Sequence, residues 1–121
     1  MSTTIALTVV ANALIAFKEF TGDADVQVQA IQTFLKIATG ASPSVQDIAR
    51  TIGLNQSTAS RNIKKLSTGP RAKEGYGLIT VELDPYDSRR RLIKLSTRGH
   101  ELVRFIESRT LPQLRHDLAS E

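Results

Sequence analysis

The chain contains no cysteine and no tryptophan, a single methionine, and only 5% aromatic residues. Without cysteine there are no disulfides, no thiol redox sensing and no cysteine-ligated zinc. Histidine occurs twice, at His100 and His116, too few for a histidine-rich metal site. Both fall in the last helical stretch, where histidine is most often a surface or helix-end residue. Asp84 and Asp87 are spaced like paired carboxylates, but a turn accounts for both. The inventory offers no catalytic residue, no metal site and no cofactor site, and it argues against an enzyme.

Charge is absent from one stretch, Thr3 to Phe17. It has no basic leader, Thr4, Thr8 and Asn12 interrupt it, and it falls short of the roughly twenty apolar residues of a membrane span. A soluble, cytoplasmic chain with no membrane partner is expected. Ile5, Val9, Val10, Ala13, Leu14 and Phe17 recur at helical spacing, and Gly22 ends this brief first helix. Its apolar surface is wide for one small core to cover. A partner subunit is a natural cover, and a fully buried core helix is the alternative.

Basic residues are what the chain has in excess. With 121 residues and 40% hydrophobic content, it suits one domain with a modest core. Net charge is +4 and the sequence pI about 9.8, which favours a polyanionic partner. The cations cluster between Arg61 and Arg104, and the first sixty residues carry few.

A second helix starts at Asp25 or a neighbour, with Val28, Ile31, Phe34, Leu35 and Ala38 on its inner face and Gly40 as its stop. Ser42-Pro43 punctuates the chain. Ser44 and Asp47 resemble a capping box, with Asp a weaker stand-in for Glu. A short third helix runs to about Ile52, and a fourth from Gln56 to Leu66. Gly53 supplies a backbone conformation costly for other residues, and Leu54 plugs the corner between the two helices. Residues 67–77 form a loop rich in glycine and basic residues, including Arg71 and Lys73. Leu78 to Leu83 and Arg91 to Leu95 read as strands joined by the turn Asp84-Pro85-Tyr86-Asp87. Ser96 or Thr97 opens a last long helix through Leu102, Val103, Phe105 and Ile106, which Pro112 should kink or break. The fold class is mainly α with a small β-hairpin, α+β.

Two segments carry chemistry. Ser44 to Leu66 has the pattern of a helix-turn-helix, with Ala59, Ile63 and Leu66 as the buried stripe of its second helix. Subtracting that stripe leaves Gln56, Ser57, Thr58, Ser60, Arg61, Lys64 and Lys65, a face of donors and cations with no carboxylate. Such a face suits a major groove, where Arg and Gln read base edges and Ser and Lys hold phosphates. A solvated helical hairpin is the bland alternative, but its outer face usually mixes both signs. The second segment places Arg89, Arg90 and Arg91 beside an acidic turn. Three adjacent cations on a hairpin tip suit the negative potential of a minor groove. The alternative is a charged hairpin edge that blocks aggregation.

From about Val28 to the C-terminal helix the chain resembles the MarR family of winged helix-turn-helix transcriptional regulators. Asp84-x-x-Asp87-x-Arg89, then Ile93-x-Leu95-Ser96-x-x-Gly99, is similar to the family's D-x-x-D-x-R wing and L-T-x-x-G strand end. Ser57-Thr58-Ala59-Ser60-Arg61 resembles its S-T-V-S-R. The resemblance implies a homodimer on double-stranded DNA, with dimerisation helices at 1–22 and 97–121, the helix-turn-helix at 44–66 and the wing at 78–95, all in one domain spanning 1–121. It implies Ser57, Thr58, Ser60 and Arg61 at recognition-helix contact positions and Arg89 as the minor-groove arginine. Asp87, with Asp84 in the turn, would support the wing. Arg90 and Arg91 enter the strand, where they grip phosphates or pair with Asp87. The loop at 67–77 is longer than the family's usual link, the chain is shorter than typical members, and peroxide sensing through a thiol cannot operate. A small-molecule effector and constitutive binding both remain open. So do a non-specific architectural DNA-binding role of phage or plasmid type and a winged-helix protein-interaction module.

Overall fold

The computed structural model describes residues 3–40, 44–67 and 75–120. Ser42-Pro43 and the loop cations Arg71 and Lys73 lie outside the described residues. Those described form α1 (Thr3–Thr21), α2 (Val28–Thr39), α3 (Val45–Ile52), α4 (Gln56–Leu66), β1 (Ile79–Leu83), β2 (Arg91–Leu95) and α5 (Thr97–Ser120). The helix-rich fold with one hairpin agrees with the pattern read from the residues. The chain divides into two compact units, residues 27–100 and residues 1–26 with 101–121.

In the unit spanning 27–100, α2, α3 and α4 pack on one another, and both α2 and α3 also reach β2. The second helix begins at Val28, not near Asp25, because the aspartates are engaged in a turn: Asp23 Oδ1 accepts from the Asp25 N–H at 2.9 Å. Its buried face is Ala30, Ile31, Thr33, Phe34 and Ile37. Val28 and Leu35, predicted to face inward, are exposed. At 100° per residue they flank Ile31 at the edge of the buried face and point away from its centre at Ala30, Phe34 and Ile37. Thr33 is tolerated in the core because its hydroxyl donates to the Gln29 carbonyl at 2.7 Å.

Ser44 and Asp47 do form the capping box at the start of α3, and each side chain accepts from the other's backbone N–H. Gly53 ends α3 in the left-handed region (φ 79°, ψ 29°), where a Cβ would be strained. Asn55 caps α4, its Oδ1 accepting from the Thr58 N–H at 2.8 Å. Ala59, Ile63 and Leu66 are buried as predicted, and Asn62 joins them.

The hairpin is antiparallel, with Ile79 opposite Leu95, Val81 opposite Ile93 and Leu83 opposite Arg91. Leu78, Ile79 and Ile93 sink into the core, and a Lys94–Glu82 ion pair of 3.2 Å spans the two strands. The Leu95-Ser96-x-x-Gly99 motif has a structural explanation. Ser96 Oγ donates to the Gly77 carbonyl at 2.6 Å and accepts from the Gly99 N–H at 3.0 Å, capping α5 and tying it to the strand entry. A Cβ on Gly99 would collide with the Leu78 carbonyl, so backbone proximity demands glycine there.

The other unit pairs α1 with most of α5. The Phe20 and Phe105 rings sit 5.8 Å apart, Arg109 lies 4.7 Å over Phe105 and pairs with Glu19 at 3.3 Å. α1 is 19 residues long, so it is not brief. Its window Thr4–Thr21 has a mean hydropathy of 1.4, long and apolar enough to cross a membrane by length and composition alone. The expected shortfall in length is therefore not found. Phe17, assigned to the surface a partner covers, is fully buried, whereas Leu7 and Val10 are 70% and 57% exposed. Pro112 lies inside α5 without ending it. The helix forgoes one backbone hydrogen bond there and continues.

Candidate nucleic-acid interface

Burying Ala59, Ile63 and Leu66 turns the opposite face of α4 outward. Gln56, Ser57, Ser60, Arg61, Lys64 and Lys65 are exposed and Thr58 is half-buried. Three cations and no carboxylate stand on this helix. Arg61 Nη2 donates to Thr58 Oγ1 at 3.3 Å, which aligns the guanidinium along the helix and leaves its other donors open. Lys65 differs from its neighbours: its ammonium lies 5.1 Å from the centre of the Tyr76 ring, drawn toward the start of the hairpin segment. That segment is anchored to the helix end, since the N–H groups of Tyr76 and Leu78 donate to the Lys65 and Leu66 carbonyls at 2.9 and 2.7 Å.

A groove of about 420 Å³ separates α4 from the hairpin. Arg61 and Lys64 line it from the helix and Arg91 from β2, over Val45, Ile63 and Val81. Arg91 therefore belongs to the α4 side of the hairpin. It stands opposite Leu83, in the strand pair next to the turn.

The tip is built by its two aspartates, as predicted. Asp84 Oδ1 accepts from the Tyr86 N–H at 2.8 Å, and Asp87 Oδ1 accepts from the Arg89 N–H at 3.0 Å. The Asp84 N–H donates to the Arg90 carbonyl and the Arg90 N–H to the Asp87 carbonyl, closing the turn. Asp87 also meets the Arg89 guanidinium at 3.3 Å, where the arginine side chain is 91% exposed. A pair this open is weak and leaves Arg89 available.

Arg90 behaves differently from the expected pairing with Asp87. Its Nη2 sits 3.0 Å from Asp47 Oδ2, on the first turn of α3. The reason is topological: Ser44 forms an isolated antiparallel bridge with Leu92, which carries the start of α3 alongside β2. Asp47 thus has two duties, capping α3 and holding the wing to it. Its carboxyl is held below the ordinary value of 3.8, first by hydrogen bonding to the Ser44 side chain and then to the Ser44 backbone. The charges of Arg90 and Arg50 act in the same direction, against the effect of burial. Only the capping duty was legible in sequence, because the wing contact spans 43 positions and has no local signature.

The residues group as two adjoining surfaces: Gln56, Ser57, Thr58, Ser60, Arg61 and Lys64 with Arg91 at the helix, and Arg89 at the tip. Among the described residues no group of three or more histidine, aspartate or glutamate side chains could hold a metal.

Helix-turn-helix followed by a two-stranded wing defines the winged helix fold. No protein-family profile matches the sequence, and neither does any curated protein. Solved structures do. RV1404 of Mycobacterium tuberculosis superposes with a TM-score of 0.74 at 17% identity, over 98% of this chain and 75% of its own. A MarR-like transcriptional regulator from Thermotoga maritima gives 0.69 at 19% identity, over 100% and 84%. MepR of S. aureus in complex with DNA gives 0.64 at 22%, over 97% and 91%. The chain has the fold of MarR-type regulators.

Proposed function

We propose that this chain is a sequence-specific double-stranded DNA-binding transcriptional regulator, a repressor acting in the cytoplasm as a homodimer on a pseudo-palindromic site. The observation that carries the proposal is the carboxylate-free outer face of α4, standing beside a wing whose Arg89 is held out by its own turn. In this reading α4 enters a major groove. Arg61 and Gln56 meet base edges or a nearby phosphate, and Ser57, Thr58, Ser60, Lys64 and Lys65 hold the backbone. Arg89 enters the flanking minor groove, and Arg91 grips the phosphate between the two. Asp84 and Asp87 keep the tip in shape, and Arg90 serves from its position against Asp47. MepR, a protein of the same fold, is seen in complex with DNA, which supports DNA as the partner. The exposed Leu7, Val10 and Ile15 of α1 support a second copy as the cover for that helix. The reading requires no effector.

Selection of bound duplexes from random-sequence DNA tests this. The expected product is a pseudo-palindrome with half-sites about one helical turn apart, bound at least about 10³-fold more tightly than random duplex. A ratio near one would instead favour an architectural role. Affinity should fall steeply as salt rises, because Lys and Arg displace condensed counterions.

A further inference from the structure

We infer that Tyr86 is a second, non-ionic contact of the wing tip, whose ring packs against the deoxyribose wall of the minor groove beside Arg89. The inference rests on the DNA-binding reading above and adds to it a residue that the turn chemistry does not require.

Tyr86 is 97% exposed, the most open of the large hydrophobic side chains among the described residues. Neither its ring nor its hydroxyl has a partner among them. Yet its backbone is fixed. Pro85 restricts the position before it, the Asp84 carboxylate takes its N–H at 2.8 Å, and the Asp84–Arg90 and Arg90–Asp87 backbone bonds close the turn around it. The aspartates and the proline make this turn; position 86 contributes only its N–H, which any residue but proline supplies. The aromatic ring is thus presented on a preformed support with its ordering cost largely met before any encounter.

The surroundings specify the occupant. Two exposed apolar side chains of the wing each neighbour an arginine: Leu83, 56% exposed, faces Arg91 across the hairpin, and Tyr86 stands three residues from Arg89. A minor groove offers the matching juxtaposition, with apolar sugar walls between rows of phosphates, and wedge-like apolar side chains recur in proteins that enter it. A purely ionic wing would gain nothing from the ring.

The test uses the full chain and a fluorescein-labelled duplex recovered by the selection above. Tyr86→Ala should lower affinity by roughly fivefold to tenfold with no change in the slope against salt, since no counterion is released by a neutral ring. Arg89→Ala should reduce that slope by about one. Tyr86→Phe, which keeps the ring, should rescue most of the loss; equal losses for Phe and Ala would overturn ring packing. The chain has two tyrosines and no tryptophan, so a Tyr76→Phe variant emits from Tyr86 alone and keeps a ring for Lys65. Saturating duplex should shield that emission from acrylamide. Binding by anisotropy with Tyr86 as open as before overturns this inference and leaves the DNA-binding reading standing. Failure to bind the duplex at all overturns both.

Discussion

The two compact units solve opposite problems. Residues 27–100 satisfy themselves: Phe34, Ile48, Leu66, Leu78, Ile79 and Ile93 are fully buried, α3 and α4 have side-chain caps, and Ser96 ties the hairpin to α5. What is left outside is largely polar and basic, with Val28 and Leu35 on α2 and Val81, Leu83 and Tyr86 on the hairpin as exposed exceptions. Residues 1–26 and 101–121 bury Phe17 and Leu102 but leave Leu7, Val10, Ile15 and Leu118 exposed. The first unit has a closed core and a charged face, and the second a smaller core with an exposed aliphatic face. The difference teaches that the two faces suit different chemistry: exposed cations suit a polyanion, and exposed aliphatics suit a like surface.

The largest effect should come from the closed core. Phe34→Ala should cost about 3–5 kcal/mol of folding free energy by lost burial and a residual cavity, measured by urea unfolding. A loss under about 1 kcal/mol would show that this unit is not self-contained. The open unit should respond in assembly instead. Leu7→Glu with Val10→Glu removes apolar cover of about 1.5–3 kcal/mol per side chain from each copy. The proposed dimer predicts that sedimentation finds the parent dimeric and this variant monomeric; a monomeric parent, or a variant as dimeric as the parent, would break the contrast. Phe17, being buried, cannot serve this test, because a charge there would unfold the helix pair.

On the charged face, Arg61→Ala should weaken binding of the selected duplex by about 1–3 kcal/mol if the guanidinium makes a bidentate base contact. Arg89→Ala should cost less and abolish preference for A·T-rich flanks. Parent-like binding by both variants at matched salt would remove this face from the interface.

The smallest effect concerns Asp47, where α3 and the wing meet. Its lowered pKa means that its stabilising contribution is complete above the ordinary carboxylate value of 3.8 and is lost as pH falls through the lower folded value. Asp47→Asn should flatten that part of the acid limb in unfolding measured against pH. At neutral pH it should free Arg90 and blur the wing's flank preference while leaving the α4 contacts in place. An unchanged acid limb would show that the ion pair and the cap do not act together.

Much of the unit spanning 27–100 was legible. The Ala59-Ile63-Leu66 stripe, the Ser44–Asp47 box, the Gly53 corner and the Asp84–Asp87 turn are local. Each is dictated by residues no more than seven positions apart, and each appears where the sequence places it. The errors share a cause as well. Val28 and Leu35 are apolar at nearly helical spacing from Ile31 and Phe34, and nothing local says which side of α2 the core lies on. Ile37 and Thr33 settle it only once α3, α4 and β2 have packed. Pro112 signals an interruption, but a single missing donor does not end a helix whose flanking turns are intact.

Sequence alone thus determined the helix-turn-helix, the shape of the wing turn, and the separation of a basic face from an apolar one, because these depend on period, capping and charge within a few residues. Tertiary structure decided which arginine does what. Arg89 stays at the tip, Arg90 is drawn 43 positions away to Asp47 by the Ser44–Leu92 bridge, and Arg91 joins Arg61 and Lys64 along one groove. Three consecutive arginines are chemically identical in sequence. They diverge because successive side chains at a turn-to-strand junction point in different directions, and only the packed chain supplies what each one meets.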